Sequence, residues 1–256
     1  MSKLRFALAL IPGAFCQAPT DPPPILQIAC EYGHAAGPVK PYAAAKAAVD
    51  VMGMSSATGT PQTWTMELHN NFASVEDLDK AIFGMTPAPG ARDAYEQAQE
   101  DLLTPPRTMI ALYEAEWSYR PGDAVRLLPK ARYMEVTIHR IRQGLESDFE
   151  HLVHLRKLTN ESVNLNRPEL AYRVFSGAPV GVYLVIAPLA NLRAMDDGVA
   201  DVPAFAAAVV DERAKTAPKQ AELEIAREHL LFRVEPRLSY VSDDFAAGEE
   251  GFWRGK

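Results

Sequence analysis

Two groups of carboxylate and imidazole side chains are the residues of this 256-residue chain best suited to chemistry. Glu67 and His69 form one group, and Glu135 and His139, on either side of Thr137, form the other. In a strand, side chains at even spacing lie on one face, so each group forms a polar stripe. A carboxylate beside an imidazole can act in general acid–base catalysis or hold a polar ligand. We therefore predict that these four side chains bind a ligand. A solvated face, or one hydrogen-bonded beneath helices, is the alternative.

Aromatic residues on neighbouring stretches could border such a site. Trp117, Tyr119 and Tyr240 are predicted to contribute to ligand binding, with Trp64 close by. Aromatic residues on strands more often belong to the core, and that alternative stays open.

The chain has no recognisable metal or cofactor motif. HExxH, paired CxxC, acidic calcium loops, GxSxG and glycine-rich phosphate loops are all missing from the sequence. His151 and His154 have the i, i+3 spacing of metal ligands, but they lie on the polar side of a predicted helix and are expected to be solvated. The catalytic residues and the cofactor are therefore unknown. Haem stays an open alternative, for which His139 or His229 could serve as axial ligand.

The elements that carry these residues follow the same order in each half of the chain. The first half has strands at 25–32, 51–58, 63–69 and within 107–122, with helices at 38–50, from Ser74, and at 91–103. The second has strands at 132–142, 169–176, 181–188 and 230–240, with helices at 144–160, 189–196 and 203–227. Strand–helix–strand–strand–helix–strand is the split βαβ, or ferredoxin-like, unit.

A short repeated segment closes each half. RTMIALYEAEWSYRPG aligns with EHLLFRVEPRLSYVSDDF, so that Trp117-Ser118-Tyr119 matches Leu238-Ser239-Tyr240 and Glu116 falls near Glu235. We predict an α+β protein of two tandem ferredoxin-like repeats that form a pseudo-dimeric α/β barrel. Its predicted parts are a signal peptide and proline-rich leader (1–24), a first repeat (25–120), a linker (121–131), a second repeat (132–241) and a C-terminal tail (242–256).

This order, with the hairpin sequences of Met54–Leu68 and Arg173–Ile186, resembles the dimeric α/β barrel superfamily in its fused form. The chain is also similar to exported bacterial proteins of unknown function with a late SY–F–W segment. The superfamily includes cofactor-independent monooxygenases, haem-binding peroxidases and chlorite dismutases, so the resemblance does not select a reaction. In that fold one face of each sheet packs against helices. Met66, Leu68, Met134, Val136 and Ile138 suit that packing, which leaves the Glu/His face to line the barrel lumen.

The N-terminus predicts export. A short basic segment precedes the apolar Phe6–Phe15, and a small-residue and proline-rich stretch follows. This order is typical of a secretory signal peptide, and the apolar run is too short to span a bilayer. We therefore expect a periplasmic or secreted protein without a retained membrane span. Lipidation of Cys16 is left open, and Cys30 is expected to be a buried, unreactive thiol.

Charge and composition restrict the function. The net charge is −7, and no Lys/Arg run appears, which argues against nucleic-acid binding. The sequence leaves three functions open: small-molecule binding in the lumen, a non-catalytic protein that acts through assembly or a partner, and a monooxygenase-like or haem-binding enzyme. A homo-oligomer is one such assembly, with the outer sheet or the Phe252-Trp253 segment as a contact.

Overall fold

A closed barrel of eight antiparallel strands forms the centre of the protein. The computed structural model describes residues 20–32, 49–69, 76, 107–197, 203, 207 and 220–255. The leader with Cys16, the three helices predicted in the first half and most of the helix predicted at 203–227 lie outside these residues. No helix in the described ranges has the length and apolar character needed to cross a membrane.

Seven strands fall close to their predicted positions, and the last lies six residues earlier than the predicted 230–240. They are β1 (Ile25–Tyr32), β2 (Asp50–Ser56), β3 (Gln62–His69), β4 (Arg107–Tyr113), β5 (Tyr133–Ile141), β6 (Leu170–Ser176), β7 (Val182–Leu189) and β8 (Glu224–Val234). Their order around the barrel is β1-β3-β2-β8-β5-β7-β6-β4. The α+β class and the barrel are thereby confirmed.

The barrel interior is apolar. Inward-facing side chains from all eight strands meet in one core cluster, which includes Met52, Met66, Met134 and Phe232. The ring centroids of Trp64 on β3 and Phe232 on β8 lie 4.9 Å apart, although β2 separates these strands. Contact between non-adjacent strands of a closed barrel passes through its interior, so this cluster fills the lumen.

Short helices close one end of the barrel. Helix α1 (Pro121–Leu127) follows β4, and helices α3 (Asp243–Ala246) and α4 (Glu250–Trp253) follow β8. Their buried residues join the interior cluster, and they include Val125, Phe245 and Trp253. The predicted linker at 121–131 is therefore helical and packed.

The C-terminal segment is folded rather than an extended tail. The Ser242 side chain caps α3 by accepting a hydrogen bond from the Phe245 N–H. The indole N–H of Trp253 donates to the carbonyl of Pro129 at 2.7 Å, and only 6% of Trp253 is exposed. The expectation that Trp253 forms a partner contact is therefore wrong, because its ring is used inside the fold.

Helix α2 (Glu146–Ser162) covers the outer face of β5, β6 and β7. Its Phe149 belongs to a second apolar cluster with Trp117, Tyr183 and Val185. Leu145 and Leu152 pack against the same cluster beside Phe149. Strand β8 begins at Glu224, so the helix predicted to end at Arg227 ends at Leu223.

The repeated segments at the ends of β4 and β8 form two corners with the same geometry. Each has a 3-10 turn, at Ala115–Trp117 and at Pro236–Leu238, followed by a serine and a bridging tyrosine. The hydroxyl of Ser118 donates to the Glu114 carbonyl at 2.9 Å, and that of Ser239 donates to the Glu235 carbonyl at 2.7 Å.

The two corners place Trp117-Ser118-Tyr119 and Leu238-Ser239-Tyr240 at equivalent positions of the turn. The residue before each turn is a glutamate, Glu114 in one corner and Glu235 in the other, so Glu116 is not the counterpart of Glu235.

Candidate active site on the outer face of the barrel

The predicted site residues lie on the outer face of the barrel. Met66 and Met134 belong to the interior cluster, so their strand neighbours of opposite parity, including Glu67 and Glu135, face outward. The expectation that Glu67, His69, Glu135 and His139 line the lumen is wrong. The apolar face of each strand fills the closed barrel, and the polar face lies outside it.

Glu67 and His69 form a buried pair on the outer face of β3. Glu67 Oε2 lies 3.2 Å from His69 Nε2, and the two side chains are 9% and 2% exposed. On β3 they neighbour Gln27 and Ile25 of β1. Strands β2 and β8 lie between β3, which carries this pair, and β5, which carries Glu135 and His139. The two predicted groups therefore do not share one site.

His139 is paired with a carboxylate that is distant in sequence. Its Nδ1 lies 2.5 Å from Oε1 of Glu224, the first residue of β8, and the other Glu224 oxygen accepts a hydrogen bond from Gln220 at 3.0 Å. The Phe149 ring packs against the imidazole with centroids 5.3 Å apart. Burial raises the pKa of Glu224, but the hydrogen bond and charge of His139, together with Gln220 and Arg227, outweigh burial and hold that pKa below its usual value. This carboxylate is therefore ionised at neutral pH.

His229 is the exposed imidazole of the same face. It is the cross-strand neighbour of Thr137, and the Thr137 hydroxyl lies 3.0 Å from His229 Nδ1. Partial burial and the nearby Arg227 lower the pKa of His229. Its imidazole is therefore mainly neutral at pH 7 and can accept a proton.

Glu135 belongs to a chain of alternating charges beside this site. Arg167 pairs with Glu135 and also lies 4.0 Å from Glu169, which pairs with Arg156 of α2. Glu135 and Arg167 both influence the pKa of His229 through their charge. The charge of the Glu135 carboxylate is thus balanced by Arg167. Glu135 is therefore better suited to adjusting the electrostatic potential at His229 than to transferring a proton.

We refer to Thr137, His139, Glu224 and His229 as the outer histidine cluster. His139 and His229 occupy positions on β5 and β8 that are two residues apart in register, so both imidazoles are on one small area of the sheet. One is buried and held by a carboxylate, and the other is exposed and neutral. Such a pair can hold a ligand that carries a dissociable proton and can accept that proton.

Sequence reasoning missed two members of this cluster. Glu224 was placed in a helix, and His229 was considered for haem alone. His229 stands one step outside the strand predicted from Leu230. A strand that begins at Glu224 includes His229 and brings it opposite Thr137. The correct start of this strand was therefore the signal that would have identified His229.

The aromatic residues predicted at the site lie at separate places. Trp117 stacks on Tyr183 with centroids 4.2 Å apart, in the cluster beneath α2. The Tyr119 hydroxyl donates to the carbonyls of Asn160 and Leu165, 3.1 Å away in each case, and so fastens the end of α2. Tyr240 pairs with Val51 through the backbone at the opposite corner.

The other candidates of the sequence have ordinary roles. His151 and His154 are exposed on α2, as expected. Burial raises the pKa of the Cys30 thiol to about 12, which keeps it protonated. Across the residues that the structure describes, no group of three or more His, Cys, Asp or Glu side chains is arranged to hold a metal ion.

Comparison with known proteins gives only distant structural similarity. No protein-family model matches the chain, and no curated protein is detectably similar in sequence. An anthrone oxidase-like protein is 13% identical and covers 83% of this chain and 92% of its own, with a TM-score of 0.48. A mutant chlorite dismutase from Candidatus Nitrospira defluvii is 9% identical, with coverages of 88% and 94% and a TM-score of 0.46.

A haem-binding protein from Thermus thermophilus is 10% identical, with coverages of 82% and 90% and a TM-score of 0.42. Similarity at this level carries no conclusion about the activity of the chain, which has to be argued from its own residues.

Proposed function

We propose that the protein binds a small molecule with a dissociable proton at the outer histidine cluster and acts there as a proton acceptor. The observation that carries this proposal is the pairing of an exposed imidazole of lowered pKa, His229, with a hydroxyl that fixes its orientation, Thr137. The filled interior supports an outer site, because Phe232, Met134 and their neighbours occupy the lumen.

The two histidines have different roles in this proposal. In the tautomer whose Nδ1–H donates to the Thr137 hydroxyl, Nε2 of His229 carries the free lone pair, which makes His229 the proposed base. His139 has its Nδ1 committed to the Glu224 carboxylate and only 4% of the residue exposed. That contact and the packed Phe149 ring fix the orientation of His139, which gives it the role of holding the buried side of the cluster in place.

The experiment is a thermal-shift screen with a defined set of phenols, 1,3-dicarbonyl compounds and hydroxylated aromatic acids. A compound that binds the native state raises the melting temperature by mass action. We expect at least one compound to stabilise the wild type, with a shift that largely disappears in His229→Gln and Thr137→Val. His151→Gln, at an exposed histidine of α2, is the matched control and should retain the full shift.

Haem is a second candidate, favoured by one observation. A metal-ligating histidine commonly has its second nitrogen fixed by a hydrogen bond, and Thr137 provides this for His229. His139 does not fit as an axial ligand, because its imidazole is buried against Phe149 and tied to Glu224. Titration with haemin tests the candidate, which requires a Soret shift in the wild type that is absent in His229→Ala.

We also propose that residues 25–120 and 132–241 are tandem copies of one ferredoxin-like unit. The strand orders β4-β1-β3-β2 and β8-β5-β7-β6 support this. In each proposed unit, the first strand in the sequence lies between the third and the fourth strands of that unit. The matching corners at Ser118 and Ser239 support it independently. Co-expression of the two halves as separate chains should give a soluble complex if each half carries a complete unit.

Export remains a proposal that rests on the N-terminal sequence alone. Expression of the full chain in a bacterial host, followed by fractionation and N-terminal sequencing, tests it. We expect a processed protein in the periplasm or medium that begins within the proline-rich stretch near Gln17–Pro24. An unprocessed chain that begins at Met1 or Ser2 would contradict it.

A further inference from the structure

A β-bulge in strand β8 places Glu224 on the outer face of the barrel. The register against β5 shifts between Ala226 and Glu224, so that Ile225 is left without a partner on β5. An extra residue of this kind turns the side chains that flank it relative to a regular strand. In a regular strand Glu224 would share the inward face with Ala226, whereas here it reaches His139 on the outer face.

Arg227 lies on the same face, between Glu224 and His229. It is the cross-strand neighbour of His139, and it precedes His229 on β8 by two residues. Residues at this spacing share a face, with their Cα atoms about 6–7 Å apart. The charge of Arg227 is close enough to His229 to lower the pKa of its imidazole. A guanidinium and a neutral imidazole are therefore side by side on this part of the sheet.

The guanidinium of Arg227 makes no hydrogen bond to any residue that the structure describes. Its closest carboxylate oxygen is Oε2 of Glu224, 3.9 Å from Nη1, and 45% of the Arg227 side chain is exposed. Both carboxylates of this face have other partners, since Glu224 is bonded to His139 and Glu135 is paired with Arg167. The N–H donors of Arg227 are thus available to a ligand.

Glu228 does not compete for these donors from the same face. It stands between Arg227 and His229 in the sequence, so the alternation of the strand places it on the opposite face, together with Phe232. The outer face therefore presents two groups without a bonded partner among the described residues, a cation at Arg227 and the Nε2 lone pair of His229.

These two groups define the kind of molecule that the site can recognise. A guanidinium with free N–H donors binds a carboxylate through paired hydrogen bonds. A phenolic hydroxyl has a pKa of about 10, far below that of an aliphatic alcohol, so an imidazole can more readily take its proton. The spacing along β8 is longer than one carboxyl group, and a rigid ring that carries the two groups at opposite ends matches it.

We propose that the ligand of the outer histidine cluster is a small phenolic acid, with its carboxylate bound by Arg227 and its hydroxyl directed to His229. In the proton transfer the O–H bond of the ligand breaks, the proton joins Nε2 of His229, and the electron pair stays on the phenolic oxygen. Arg227 is then the residue that determines specificity. This inference rests on the proposed function and adds the chemical class of the ligand to it.

An NMR titration tests the proposal, with the imidazole signals of His229 assigned through their loss in His229→Gln. The probes are 4-hydroxybenzoate, its neutral methyl ester, and 2-hydroxybenzoate, in which the two groups are adjacent. We expect 4-hydroxybenzoate to shift the His229 signals and to bind about tenfold more tightly than either other probe. Arg227→Gln should abolish the preference over the ester, and Arg227→Lys should retain part of it.

Arg140→Gln is the matched control. Arg140 is an exposed arginine of the same sheet, but it pairs with Ala226 and so belongs to the opposite face of β5. This variant should bind 4-hydroxybenzoate like the wild type, and the NMR spectrum of each variant checks that it is folded.

Two results would overturn the inference and leave the outer site intact. One is an equal response of His229 to the acid and its ester, and the other is a preference for the acid that survives in Arg227→Gln. No response of His229 to any of the three probes would also overturn the inference. The proposed function itself fails only if the other compounds of the thermal-shift screen give no shift that depends on His229.

Discussion

The Ser239 hydroxyl accepts a hydrogen bond from the backbone N–H of Gly53, 2.9 Å away, although the residues are separated by 186 positions. Gly53 lies on β2 and Ser239 follows β8, so the bond crosses one of the two places where the first four strands meet the last four. At the other such place Ser118 accepts the N–H of Ala171 on β6, also at 2.9 Å. The two serines thus join the halves of the barrel in the same way.

Removing either hydroxyl should weaken the barrel. Ser239→Ala or Ser118→Ala leaves a buried N–H without its acceptor, which costs about 1–3 kcal/mol. Chemical denaturation measures the free energy of unfolding. Ser176→Ala, at an exposed strand end, is the control and should change it by less than about 0.5 kcal/mol. Equal stability of Ser239→Ala and the control would show that the corner contributes nothing.

Gly53 should not accept a side chain. A Cβ atom at this position would overlap with the Cβ and backbone of Leu238, and backbone cannot move aside cheaply. Gly53→Ala should therefore lower the free energy of unfolding by about 1–3 kcal/mol. Gly248→Ala, where a Cβ meets nothing within 4 Å, is the matched control. If both substitutions have the same small effect, the close packing of the corner against β2 is wrong.

Acid should destabilise the protein partly through Glu224. Its pKa is held below the ordinary value of 4.5 in the folded protein, mainly by His139 against the opposing effect of burial. As the pH falls, Glu224 takes up its proton at a higher pH in the unfolded chain than in the folded protein. The stability that the ionised Glu224 contributes is therefore present at neutral pH and is lost as the pH falls through the folded pKa. Glu224→Gln should be less stable than the wild type at pH 7, and the difference should shrink towards pH 3.

Glu116→Gln serves as the control for this titration, because Glu116 is exposed. Its stability should follow the wild type across the range. Thermal denaturation at a series of pH values provides the measurement. A stability gap for Glu224→Gln that stays constant between pH 7 and pH 3 would contradict the lowered pKa of Glu224.

His229 should add to the acid sensitivity at higher pH. Because its pKa is lowered in the folded state, unfolding favours protonation, and stability falls as the pH drops through the usual value of 6.5. His229→Gln should show a smaller loss of stability between pH 7 and pH 5 than the wild type. Proton NMR of the imidazole signals gives the same pKa directly, and a value for His229 at or above 6.5 would disprove the lowered pKa.

The sequence predicted the strands and their grouping on faces but not which face is inside. Alternation shows that Glu135, Thr137 and His139 share a face, and they do. It cannot show which face enters a closed barrel, because buried apolar residues lie on both faces, Met134 in the interior and Ile141 beneath helix α2. The face with Met134 and Val136 lies inside because the closed barrel excludes water from its interior. The polar face lies outside, where its side chains can make polar contacts.

The partner of His139 was beyond local sequence reasoning for a different reason. Glu224 is 85 residues away and reaches His139 only because β8 pairs with β5. Serine corners at 118 and 239 were visible as a repeat because their chemistry is local. The alignment was two residues off at the carboxylate, since Glu116 lies within the 3-10 turn and Glu114 precedes it.

The position of the ligand site, outside the barrel at His229, is the central claim, and the compound screen in variant proteins tests it most directly. A compound that stabilises the wild type should lose most of its thermal shift in His229→Gln and keep it in Met134→Leu, a change in the barrel interior. The opposite pattern, with the shift kept in His229→Gln and lost in Met134→Leu, would place the ligand in the lumen and contradict the account.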